Sequence, residues 1–207
     1  MNKNLEILFA DSKQERSQKT LEDILQAAEQ LVTEADAELF TSRNLAKKSG
    51  YGLGTLVRRL NSIDYVFFWA IEKGREKVLK EIGNSISHFD PNLTIQDFVE
   101  TIVDQGFTAI TKVGPKVMRF YDERYTKKNG LTTDYFDHFD LLVEPYLEAC
   151  QKNQTGTFRM ISHQEAKFVF RAVLMMSERI FAQYDPVAGS TEHRQILIDL
   201  MTRMLTK

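Results

Sequence analysis

A single cysteine, Cys150, stands in 207 residues. That excludes an intramolecular disulfide and any metal site built from several thiolates. Prolines number four and glycines ten, and no region alternates β-branched residues between tight turns, which argues against a hairpin-rich β architecture. No run of about 18 apolar residues occurs, so the sequence offers no transmembrane helix. The opening MNKNLEILFADSK interrupts its apolar run at Glu6, too early for the apolar core of a signal peptide. A cytoplasmic protein with no membrane partner is the expectation. The four histidines, His88, His138, His163 and His193, are scattered, and DHFD at 137–140 lacks a second histidine at ligand spacing. Neither a serine elbow nor a cysteine with a recognisable partner is present. No enzyme, no cofactor and no metal site is therefore expected. With a net charge of -2 the chain has no global attraction for nucleic acid, and any such attraction has to come from a local patch.

Apolar residues make up 43% of the chain and charged residues 27%, the balance of a folded globular protein. Helical periodicity dominates. TLEDILQAAEQLV, from Thr20, sets Leu21, Ile24, Leu25, Ala28 and Leu31 or Val32 on one stripe. After a break near Asp36, TSRNLAKKS offers Thr41 as an N-cap, and Gly50 can close the helix in a left-handed conformation. LGTLVRRL follows as a second short helix, and Ser62 and Asp64 start a long one running toward HFDPN at 88–92. Roughly five further helices are expected, with breaks near 113–115, 127–130, 152–157 and 185–190.

SGYGLGTLVRRL (49–60) alternates three glycines, a spacing that often cradles phosphate. A dinucleotide fingerprint fails here because Thr55 stands where the third glycine is needed and the preceding SRNLAKK is too polar for a buried strand. No Gly-Lys-Ser/Thr follows, which removes the P-loop. The segment suits a helix-turn-helix instead. Leu56 and Leu60 face inward toward Leu45, Ala46, Ile24 and Ala28, while Thr55, Arg58 and Arg59 are expected outward. Between Thr41 and Ser62 the charged residues are Arg43, Lys47, Lys48, Arg58 and Arg59, without one Asp or Glu. That is the footprint of a surface for DNA phosphate.

ILQAAEQLVTE followed by TSRNLAKKSGYGLGTLVRRLNSID resembles the N-terminal signature of TetR-type transcriptional repressors over about the first third of the chain. Ile24, Leu25, Ala27, Ala28, Leu31, Thr41, Ala46, Gly50, Gly54, Thr55, Leu56 and Ser62 agree with the family pattern. Val57 and Ile63 depart from it, standing where the family usually carries a tyrosine and a lysine that hold phosphate. Gly52 replaces the usual hydroxyl cap of the recognition helix, and Leu53 a polar residue, either covering the core edge or touching a thymine methyl.

The resemblance implies an all-α protein, with a helix-turn-helix DNA-binding domain over 13–64 and a helical ligand-binding and dimerisation domain over 65–207. It implies a homodimer on a near-palindromic double-stranded DNA operator, acting as a repressor released by a small apolar or aromatic effector. DNA contacts are expected from Thr41, Ser42, Arg43, Gly52, Leu53, Gly54, Thr55, Arg58 and Arg59. An effector pocket is expected among Phe67, Ile71, Phe98, Ile102, Phe107, Phe120, Tyr121, Phe136, Phe139 and Phe170. The two last helices, near 163–184 and 191–205, would form the dimer interface through Val169, Val173, Met176, Ile180, Leu197, Leu200, Met201 and Met204. A rival is a protein of the same shape with weakened DNA contacts that acts by binding a ligand or a protein.

Overall fold

The computed structural model describes residues 15–60, 62–126 and 138–207. The architecture is all-α: α1 (Glu15–Thr33), α2 (Ser42–Ser49), α3 (Leu53–Arg59), α4 (Ile63–Ser87), α5 (Ile95–Tyr121), α6 (Val143–Lys152), α7 (His163–Ala182) and α8 (Thr191–Leu205). Short 3-10 turns lie at Ala37–Leu39 and His138–Leu142, and a π turn, Asp122–Thr126, follows α5. Among the described residues no strand forms; one isolated bridge pairs Phe158 with Thr206.

Helix ends follow local chemistry. Thr94 and Asp97 make a reciprocal capping box ahead of α5: the Thr94 N–H donates to Asp97 Oδ2 at 2.8 Å and the Asp97 N–H to Thr94 Oγ1 at 3.3 Å. Those Thr94 bonds hold the Asp97 carboxyl below its ordinary value. Ser162 and Ser190 cap α7 and α8 by accepting from the N–H groups of Glu165 and His193. At Gly114 (φ 76, ψ 164), just before Pro115, α5 kinks. This backbone region is open essentially to glycine alone, and it accounts for the break expected at 113–115.

Two compact units emerge. One contains the described residues of 15–74 and 116–126, the other those of 75–115 and 138–207. The expected division after residue 64 was a single cut, whereas the first unit also takes the first turns of α4 and the part of α5 beyond its kink. The reason is aromatic packing. Phe40 stacks on Phe67 at 4.5 Å, and Phe120 meets Phe40 edge-on at 5.0 Å. Tyr121 donates its hydroxyl to Glu72 at 2.7 Å, Arg124 pairs with Asp64, and Lys116 reaches Asp36 and Glu38.

In the second unit Phe98 gathers Phe89, Phe158 and Tyr146 at 5.1 to 5.7 Å. Burial pushes the Tyr146 phenol far above its ordinary value, so it remains a donor, to the Arg159 carbonyl at 3.0 Å. Arg75 of α4 forms a two-point pair with Glu178 of α7, at 2.9 and 3.2 Å. Helix α7 packs against α6 and α8.

Candidate nucleic-acid interface

Helices α1, α2 and α3 belong to the first unit, and the basic residues of 43–59 sit on α2 and α3. Ile24, Ala28, Leu45 and Leu56 are all fully buried, and Leu60 nearly so. The leucine stripe thus anchors α2 and α3 inward, as its spacing predicts. Thr41 caps α2 by accepting from the Asn44 N–H at 3.2 Å, and Gly50 ends the helix at φ 75. The turn to α3 is only three residues long. Its middle residue, Tyr51, donates its hydroxyl to Asp23 of α1 at 2.7 Å, which ties the turn to the supporting helix. That bond to the carboxylate raises the phenol above its ordinary value. Sequence reading missed this tie; an aromatic residue between two turn glycines was the available signal.

Gly52 occupies the cap of α3 at φ -67 and ψ 150, with no side-chain cap bond. On α3 itself, Leu53, Gly54, Val57 and Arg58 are exposed, whereas Thr55 and Arg59 are half-buried. Of the expected outward trio, Arg58 is exposed and Thr55 and Arg59 are partly so. Burying Leu56 and Leu60 sets the inward side, and the 55/59 flank is partly covered while the 53/57 flank is open. Leu53 is half exposed.

The cations divide by their engagements. Arg43 and Lys47 are exposed on α2. Lys48 is paired with Glu34 at 2.7 Å. Arg58 turns its Nε back to the Gly54 carbonyl at 3.1 Å. Thr41 is exposed and Ser42 half-buried at the start of α2. The surface left open is cationic on α2, and on α3 it combines the apolar Leu53 and Val57 with Arg58.

The residues expected to line one effector pocket separate into different places. Phe67, Ile71, Phe120 and Tyr121 belong to the first unit and are buried there. In the second unit Ile102, Phe107 and Phe170 line an apolar cavity of about 30 Å³, together with Val173, Ser177 and Leu197. Phe98 and Phe139 are fully buried and do not line it; Phe136 lies outside the described residues. The cavity has room for about one water-sized body, against the roughly 300 Å³ or more of a small-molecule site.

On α7 and α8, Val169, Val173, Leu197 and Met201 are buried within the second unit, so the expectation that they face a partner is corrected. Met176 is exposed, and Ile180, Leu200 and Met204 are half-buried. The outward apolar residues are instead Phe168, 66% exposed, with Met176 and Ile196. A stripe read at three- and four-residue steps does not tell which of two adjacent faces the subunit keeps for itself.

Among the described residues no helix is long and apolar enough to cross a membrane. No protein-family model and no curated protein matches the chain. Solved structures do. A protein from Shewanella sp. PV-4 described as a TetR-family transcription regulator is 14% identical, with a TM-score of 0.53, covering 91% of this chain and 98% of its own. One from Vibrio parahaemolyticus, described as a TetR-family transcriptional regulator, is 15% identical with a TM-score of 0.44, covering 91% and 99%. The likeness to the first of these shows that the chain has the fold of the TetR-family regulators.

Proposed function

We propose that this protein is a homodimeric DNA-binding transcriptional regulator, a repressor whose affinity for a near-palindromic operator falls when a small apolar effector binds. One observation carries the reading. A leucine-anchored pair, α2 and α3, presents Arg43, Lys47 and Arg58 to solvent in a segment, Thr41 to Ser62, that holds no acidic residue. Helix α3 is the element for the major groove, and the α2 cations are placed to neutralise phosphates along its rim.

Seven residues read few base pairs, so a two-fold dimer is needed to multiply affinity. Phe168, Ala172 and Met176 of α7 and Ile196 of α8 are the exposed residues that suit the partner copy. An effector would enlarge the cavity beside Phe107 and Phe170, and the state it favours would hold the two recognition helices at the wrong spacing. The rival, a protein of this shape with weakened DNA contacts, draws on Val57, Ile63 and the Lys48–Glu34 pair.

Selection of bound genomic fragments by the purified protein is expected to recover a palindrome. Fluorescence anisotropy on that duplex is then expected to show affinity falling steeply with salt, with a log–log slope of several units. Affinity indifferent to salt, or no recovered site, favours the rival.

A further inference from the structure

We propose that α3 reads the C5-methyl groups of pyrimidines in the major groove through Leu53 and Val57, an inference that rests on the DNA-binding reading above. The two residues are four apart on a seven-residue helix and so share a flank. They are 50% and 70% exposed, while Leu56 and Leu60 already give the helix its inward anchor. Their exposure is thus a property of the outward face and not a gap in the core.

The polar capacity of α3 is small. Thr55, Arg58 and Arg59 carry its only polar side chains. Thr55 and Arg59 are half-buried, and Arg58 commits its Nε to the Gly54 carbonyl. Gly52 and Gly54 add no relief, and a Cβ built on either meets nothing within 4 Å. What α3 offers a partner is an apolar pair beside the exposed Arg58, and α2, which packs against it, carries the exposed cations Arg43 and Lys47.

The complementary surface is anionic at its rims and apolar at points in its floor. The major groove has that character, and its one apolar feature is the pyrimidine C5-methyl, carried by thymine and by 5-methylcytosine. An apolar protein surface would leave the cations without partners. An A·T step bearing adjacent thymine methyls matches two branched side chains one helical turn apart.

The test uses the full-length protein and the duplex recovered by selection. Deoxyuridine replaces thymine one position at a time, removing a methyl and nothing else. At one or two positions per half-site, affinity is expected to fall about fourfold for each methyl, the effect of burying one such group. Leu53→Ala and Val57→Ala, both at exposed positions, are expected to keep the wild-type melting temperature. Each is expected to bind the thymine duplex more weakly and to lose the response to deoxyuridine at its own position.

Placing 5-methylcytosine at a responsive position separates the two methyl sources. Retained affinity there assigns the contact to the methyl alone, and lost affinity assigns it to thymine as a whole. Equal affinity for thymine and deoxyuridine duplexes at every position overturns the proposal, as does a deoxyuridine response unchanged in both variants. Binding to no duplex at any salt concentration removes the regulator reading itself, and this inference with it.

Discussion

His193 shows at the scale of one residue how burial sets a pH window. The Gly189 N–H donates to its Nδ1 at 3.3 Å, which leaves the proton of the neutral ring on Nε2. That atom meets no hydrogen-bond partner among the described residues, and the ring lies against Phe107 and Phe181. Burial lowers the imidazole below its ordinary 6.5, with Asp185 opposing. The unfolded chain therefore takes the proton first: stability is complete above that ordinary value and is lost as pH falls beneath it. Thermal melting at about pH 7.5 and about pH 5.5 is expected to show this loss in the wild type and a smaller one in His193→Asn. Asp140 acts in a lower window. Burial pushes its carboxyl up, but Arg171 and Lys167 pull it below 3.8, so its contribution is present above that value and is lost only as pH falls further. Two glycines two residues apart are expected to respond with opposite sign. Gly50→Ala meets open space but a left-handed backbone, at a cost of about 1 kcal/mol. Gly52→Ser, at a cap with negative φ and open space, is expected to gain a few tenths of a kcal/mol. Denaturant titration measures both.

Helices are held to one another by contacts that no local pattern announces. Arg75 and Glu178 are 103 residues apart in the chain, and their side chains are 9% and 12% exposed. Replacing Glu178 with leucine deprives a buried guanidinium of that carboxylate, and the expected cost is about 3 kcal/mol, read as a lower urea midpoint at unchanged slope. Sequence periodicity could place Glu178 on α7 but not opposite Arg75. The same holds for α5. Gly114-Pro115 is legible as a break, yet nothing local says that the turns beyond it join Phe40 and Phe67 in the first unit. The α2–α3 pair is the contrary case, because its cap and its left-handed glycine are set by immediate neighbours and its two inward leucines follow from their four-residue spacing. The unequal exposure of the two α3 flanks, which opens Val57 in preference to Thr55 and Arg59, and the Tyr51–Asp23 bond escaped that reading.

Association of two copies is the consequence expected for the whole molecule. Phe168, Ala172 and Met176 lie at four-residue steps and are all exposed, a continuous apolar stripe that solvent leaves unsatisfied. Phe168→Asp is expected to raise the dimer dissociation constant at least about tenfold, near 1.4 kcal/mol, as measured by sedimentation equilibrium. Its melting temperature at low concentration is expected to stay close to that of the dissociated wild type, because Phe168 contributes little to the subunit core. An unchanged dissociation constant places the interface elsewhere. DNA affinity is expected to fall in the Phe168→Asp variant as dimerisation is lost, since one copy of α3 spans too few base pairs.

By itself the amino-acid order determined the helices, their caps and breaks, the inward leucines of the two-helix unit and the basic run beside them. These follow from propensity, capping and periodicity, whose range is a few residues. Tertiary structure alone decided which face of α7 and α8 the subunit keeps for itself, and where the aromatic residues gather. It also decided which flank of α3 is open. Those outcomes depend on shape and volume brought together from distant parts of the chain, where close packing selects one arrangement among many that share the same periodicity.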